Sequence, residues 1–264
     1  PILYMLYLSF FDWNFVTPDM DFLGFANYLR LFNDPIFIQV IQNSFIYTFL
    51  VVFFTITLGL LTALWLNNIK FMSGFLQGAI FSPHVIALVS IAMLWMWIMD
   101  DTYGLLNWFL SLFGIEPVGW LTDPDVALYS LAIVAIWKGI GYNALVFIAG
   151  LQSIPKDLYE AADLDNAGPM ARFFKITLPM LSPSLFFLTV INMIASLQVF
   201  DTINIMTQGG PVNSTNQFVY FIYENGFRYF SIGYASAAGV VLFIIIGVLT
   251  LLYFLLLSKR VHYR

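Results

Sequence analysis

The sequence predicts an all-α membrane protein of six transmembrane helices, the first of them truncated in this chain. Its 264 residues are 61% hydrophobic and only 9% charged, whereas a soluble domain of this length carries about 25% charged residues. Four stretches lack Asp, Glu, Lys and Arg altogether: 44–66, 75–99, 176–200 and 232–257. Each is long enough to cross a hydrocarbon core of about 30 Å as a helix. A fifth, 126–150, is interrupted only by Lys138. The third observation is charge asymmetry. Lys70, Lys156, Arg172, Lys175, Lys259, Arg260 and Arg264, seven of the ten Lys and Arg, fall on one side of this topology. Arg30 and Arg228 face ten carboxylates on the other, so the basic side is expected to be cytoplasmic.

The elements follow in order. "PILYMLYLSFF" is apolar but too short to span, which fits the outer end of a first helix; it has no basic n-region and no small-residue cleavage site of a signal peptide. The loop "WNFVTPDMDFLGFANYLRLFNDP" has turn chemistry at Pro18 and Gly24 and aromatics suited to an interface. The turn "NNIKFMSG" joins the second and third helices, and Trp95 and Trp97 suit interfacial anchors near the outer end of the third. Tyr103 to Phe113 has the pattern of a short amphipathic interfacial helix, closed by Gly114, Pro117 and Gly119. The fifth helix carries Pro179 and Pro183 in its first turns and ends near "FDTINIMTQGGPVNSTN". The sixth ends in the basic tail "SKRVHYR". The whole chain, 1–264, is thus expected to be one transmembrane domain.

Between the fourth and fifth helices the apolar pattern stops. From Pro155 to Pro179 lie Lys156, Asp157, Glu160, Asp163, Asp165, Arg172 and Lys175, seven of the chain's twenty-five charges. Pro155 suits a helix first turn, and Leu158, Ala161, Ala162 and Asp165 then share one face by their spacing. Glu160 and Asp163 lie to one side of it. Two adjacent alanines let another backbone approach closely. Gly168 is expected to stop this helix, and Pro169 to open a second bearing Met170, Phe173 and Phe174. A solvated loop with a charged face is the plain reading. Its length, its patterning and the exposure expected of Phe173 and Phe174 favour a partner surface instead.

The order Glu160-Ala161-Ala162, then Gly168, then "ITLP" at 176–179 resembles the EAA signature of binding-protein-dependent ABC importer permeases. "LQSIPKDLYEAADLDNAGPMARFFKITLP" is similar to their carbohydrate-importer branch, which includes the larger maltose permease subunit and the glycerol-3-phosphate permease. "FLGFANYLRLFNDP", "TQGGPVNST" and "GYASAAGVVLF" extend the resemblance over nearly the whole chain. The resemblance implies a type I ABC importer permease fold in a bacterial inner membrane, multi-pass, with a cytoplasmic C-terminus. It implies that segment 155–175 holds the coupling helix, with Leu158, Glu160, Ala161, Ala162, Asp163, Asp165, Gly168, Phe173 and Phe174 facing an ATPase cleft and Gly168 supplying the tight turn. The implied partners are a second permease subunit, two cytoplasmic ATPase subunits that bind ATP and Mg, an extracytoplasmic solute-binding protein, a sugar substrate and membrane lipid.

Polar groups within spans are candidate functional positions. Ala135, Gly139 and Tyr142 share a face of the fourth helix, with Lys138 and Asn143 beside it; Asn192 and Ser196 stand four apart in the fifth. Asn192 and Ser196 serve either interhelical hydrogen bonding or substrate contact. The resemblance places positions matching Gly139, Asn192 and Ser196 along a sugar site. Lys138 departs from what a neutral sugar needs. It pairs either with a phosphate or carboxylate on the substrate, or structurally with a carboxylate such as Asp201 or one from a partner subunit. His84 beside Pro83 suits hydrogen bonding at a kink rather than a metal, and His262 a solvated tail. The chain has no GxxxxGK[ST] phosphate loop and no HExxH, and the absence of cysteine removes disulfides and thiolate metal sites. No catalytic residue, metal, chain-bound cofactor or nucleic-acid partner is expected. The expected function is import of a sugar or oligosaccharide by alternating access. A phosphorylated glycerol or acidic saccharide is the alternative cargo, and an ATP-independent channel or secondary transporter the alternative class.

Overall fold

The computed structural model describes residues 1–17, 19–69 and 72–257. The expectations for Pro18, Lys70, Lys259, Arg260, His262 and Arg264 lie outside the described residues. The chain runs through α1 (Ile2–Leu8), the antiparallel strands β1 (Phe11–Asp12) and β2 (Asp21–Phe22), α2 (Ala26–Asn33), α3 (Pro35–Asn67), α4 (Ser73–Val85), α5 (Leu88–Ile98), α6 (Leu105–Ser111) and α7 (Ala127–Gln152). Then come α8 (Lys156–Leu164), α9 (Pro169–Arg172), a π turn at Phe173–Thr177, α10 (Leu178–Met180), α11 (Ser182–Leu197), α12 (Asp201–Met206), α13 (Phe218–Tyr223), a second π turn at Glu224–Arg228 and α14 (Ile232–Leu257). Among the described residues four segments are long and apolar enough to cross a membrane: α3, α7, Ser182–Met206 and Ile232–Leu256; α4 and α5 pass the same test only as a pair. α1, seven residues long, is shorter than a span.

The residues group into two compact units. The first comprises Pro1–Leu50, Ala87–Val134 and Ile194–Leu249. In it Asn27 ties α2 to the start of the chain by donating to the Ser9 and Phe11 carbonyls, at 2.9 and 3.0 Å. The Asp34 carboxylate caps α3 by accepting the Ile36 N–H at 2.9 Å and also accepts the Tyr234 hydroxyl at 2.8 Å. The Gly-Gly-Pro turn is held by Asn43, whose amide donates to the Asn213 and Asn216 carbonyls at 2.9 and 3.0 Å. The interfacial helix expected from Tyr103 to Phe113 forms as the shorter α6, opened by Gly104.

The second unit comprises Val51–Ile86, Ala135–Met193 and 250–257. Its core gathers Ala63 and Leu66 of α3, Ala144, Phe147, Ile148 and Leu151 of α7, and Leu181 and Leu188 around α11. Small residues let these helices approach. A Cβ on Gly59 would stand 2.7 Å from the Asn143 Cβ, and one on Gly139 2.8 Å from Thr55 Cγ2. Apolar spans gain little from excluding water from one another, so such close contacts decide where they pack.

The uninterrupted third span expected over 75–99 is corrected: α4 ends at Val85, Ile86 and Ala87 are extended, and α5 starts at Leu88. Pro83 signals a kink from the sequence, but the break falls three residues later.

Candidate functional site

In the charged segment, Pro155 takes the N-cap position and α8 follows at once. The stop expected at Gly168 is a further correction. The helix ends at Asp165, and Asn166, not Gly168, carries the left-handed backbone with φ 52°, a conformation asparagine adopts more readily than most residues. Gly168 is extended, φ −68° and ψ 163°, and caps α9, where Pro169 opens the helix as expected. Arg172 closes the turn: its Nε donates to the Ala167 carbonyl at 2.7 Å and its guanidinium pairs with Asp163. The Tyr159 and Thr177 hydroxyls, 3.0 Å apart, bond α8 to the π turn.

The face expected from residue spacing exists. Leu158, Ala161, Ala162, Asp165, Ala167 and Arg172 line a cleft of about 480 Å³. Ala162 lies at its base, 7% exposed. Glu160, Asp163 and Gly168 are exposed, and so is Phe174, while Phe173 is half-buried and meets Phe174 edge-on at 5.0 Å. The exposure expected of Phe173 is therefore corrected; the π turn rotates it inward. Leu164, which the sequence did not single out, is 88% exposed and Met170 73%. The available signal was an apolar residue at the last position of a short polar helix.

Three of the candidate positions, Gly139, Asn143 and Asn192, are joined by hydrogen bonds within the second unit. Asn143, 1% exposed, donates from Nδ2 to the Gly139 carbonyl at 2.9 Å, and its Oδ1 accepts from Asn192 Nδ2 at 2.8 Å. Asn192 also donates to the Leu188 carbonyl at 2.7 Å. The pair bridges α7 and α11. Tyr142 stacks on His84, ring centroids 4.9 Å apart and planes 16° apart. Within this chain Lys138 bonds backbone rather than a carboxylate such as Asp201: its ammonium donates to three carbonyls, Pro83, His84 and Ile86, at 3.0, 3.0 and 2.9 Å. Ser196 belongs to the first unit and is 4% exposed. Among the described residues no cluster of His, Asp and Glu could hold a metal.

A double-mutant cycle on Asn143→Ala and Asn192→Ala should show a coupling energy of about 0.6–1.7 kcal/mol in thermal denaturation of the solubilised subunit. Strictly additive losses would mean the bridge contributes nothing.

Residues 55–263 match the family described as the binding-protein-dependent transport system inner membrane component. A sulfoquinovosyl glycerol transport system permease protein of Agrobacterium fabrum is 34% identical over 261 residues, 98% of this chain and 85% of the relative. A lactose transport system permease protein of Rhizobium radiobacter is 38% identical over 268 residues, 98% of this chain and 88% of the relative. A chain from the crystal structure of a bacterial ABC transporter involved in the import of the acidic polysaccharide alginate superposes with a TM-score of 0.84 at 27% identity, covering 99% of this chain and 90% of that one.

Proposed function

The chain belongs to the inner membrane components of binding-protein-dependent transport systems, and we propose that it carries a sugar or oligosaccharide across the membrane while segment 155–175 couples it to a separate ATPase. It is a permease subunit of an ABC importer with the type I fold. Relatives named for lactose and for sulfoquinovosyl glycerol support a saccharide cargo. The proposed complex adds a second permease, two ATPase subunits that hold ATP and Mg, and an extracytoplasmic binding protein. The basic loops and the C-terminus then face the cytoplasm.

One observation carries the coupling role. Segment 155–175 has internal order, with a closed turn, a capped second helix and a bond to the π turn, yet it presents Leu164, Met170 and Phe174 outward. A solvated loop has no reason to fix apolar side chains in water. Closure of two ATPase subunits would move the surfaces that hold these side chains, and a rigid segment passes that movement to α7 and α11, which flank it. Gly139, Tyr142, Asn143 and Asn192 are the proposed sugar contacts in the second unit: neutral hydrogen-bonding groups beside an aromatic face. Ser196, one turn beyond Asn192 along α11, is a proposed contact in its own right.

Mass spectrometry of whatever co-purifies stoichiometrically with a tagged, full-length form tests the reading. An ATPase, a second permease and a binding protein are expected, and the binding protein's ligand names the cargo. A chain that purifies alone and still transports would be a channel or secondary transporter, and the coupling role would fall.

A further inference from the structure

An ammonium inside a membrane span is costly unless its environment satisfies it, and Lys138 meets three carbonyl oxygens at one end of one helix. Those carbonyls have a matching need. The last carbonyls of any helix lack intrahelical donors, and here the chain beyond Val85 is extended at Ile86 and Ala87, so no following turn supplies them. Lipid offers them no donor. Three donors therefore meet three acceptors, and the cation stands at the helix end where the backbone dipole is negative.

Two further contacts lie on the same face of α7. Residues 138, 141 and 142 follow the three- and four-residue spacing that aligns side chains on a helix. Gly141 admits the α4 backbone, since a Cβ there would lie 2.8 Å from both the Ile80 carbonyl carbon and Phe81 Cα. Tyr142 stacks on His84, one of the residues whose carbonyl Lys138 holds.

We propose that Lys138 is a positioning residue: by closing the C-terminal end of α4 it fixes the break at Ile86–Ala87 and holds the His84 ring against Tyr142. The ammonium recognises backbone, not cargo. Its effect on transport passes through Tyr142 and is the same for neutral and anionic cargo. This transport consequence rests on reading Tyr142 as a sugar contact; the local structural role does not.

Hydrogen exchange of the assembled complex tests the structural role without any cargo. Lys138→Met should speed amide exchange of peptides covering 80–87 by about tenfold, the scale of losing charge-assisted hydrogen bonds, and leave peptides from α14 unchanged. Lys138→Arg, which can donate to the same carbonyls, should restore protection. Unchanged exchange at 80–87, a uniform rise throughout the chain, or no rescue by arginine would each overturn the proposal. In proteoliposomes, uptake of radiolabelled lactose and of sn-glycerol 3-phosphate should fall by the same factor in Lys138→Met. Selective loss of the phosphate ester would make Lys138 a cargo contact and overturn the proposal. If the unmodified complex carries neither compound, neither is its cargo, and the exchange experiment alone decides the role of Lys138.

Discussion

Gly168→Asp is expected to abolish cargo-stimulated ATPase activity and uptake while leaving the subunit as stable as the parent. The stability half follows from local geometry. Gly168 has φ −68°, an ordinary backbone for any L residue, and a Cβ added there meets nothing within 4 Å. The residue is also the N-cap of α9, a position where aspartate is at least as favourable as glycine. The change in folding stability should therefore stay within about 0.5 kcal/mol. Any functional loss must arise at a surface outside this chain. The new carboxylate would stand three residues from Asp165 on a segment already rich in acids, where the proposed ATPase cleft, if shaped for a bare backbone, would have to desolvate it without a partner. Parent-like stimulation of ATPase activity in the purified variant complex would remove the coupling role from Gly168. A collapsed melting transition would instead show that the glycine serves this chain's own fold.

The same residue illustrates what the sequence makes legible. The spans show as charge-free runs because lipid tolerates little else, and segment 155–175 shows because its charges interrupt them. Turn placement inside that segment was less legible. Glycine is the usual left-handed residue after a helix, which points to Gly168, yet Asn166, two residues earlier, takes that conformation. Phe173 turned inward because a π turn shifts the face each side chain presents, and no local pattern announces one. The break after Val85 was hidden for a different reason. Ile86 and Ala87 carry no turn chemistry; what satisfies their neighbourhood is Lys138, more than fifty residues away. From the sequence a lysine in a span calls for an anion, and backbone carbonyls are acceptors that every residue has and none advertises. The partners that the sequence suggests for Lys138 are accordingly carboxylates and phosphates. Asn143 and Asn192 were legible as polar intrusions, but their bond to one another depends on how α7 and α11 meet.

Opposite outcomes are expected for one chemical change at two glycines. Gly78→Ala, within α4 and with nothing within 4 Å of the added methyl, should leave the subunit unchanged or raise its stability by up to about 1 kcal/mol, because alanine restricts the unfolded chain and favours helix. Gly141→Ala makes the same gain in propensity and meets the α4 backbone: the Ile80 carbonyl oxygen lies nearest the methyl, and Ile80 C and Phe81 Cα both stand 2.8 Å from it. A carbon normally keeps about 3.3 Å or more from a carbonyl oxygen, so the helices must separate or α4 must bend. A flexible side chain could swing away at little cost; a helical backbone cannot. The movement would also stretch all three Lys138 bonds and pull His84 off Tyr142, since these contacts lie on the same face. A net loss of about 2 kcal/mol or more is expected, within the range of overpacked cores and enlarged by the absence of any solvent drive to hold apolar helices together. The check is the temperature at which half of each solubilised variant remains monodisperse on size-exclusion chromatography. A shift of the same sign for both variants would mean that helix propensity governs this contact and that the close approach at Gly141 does not set the position of α4.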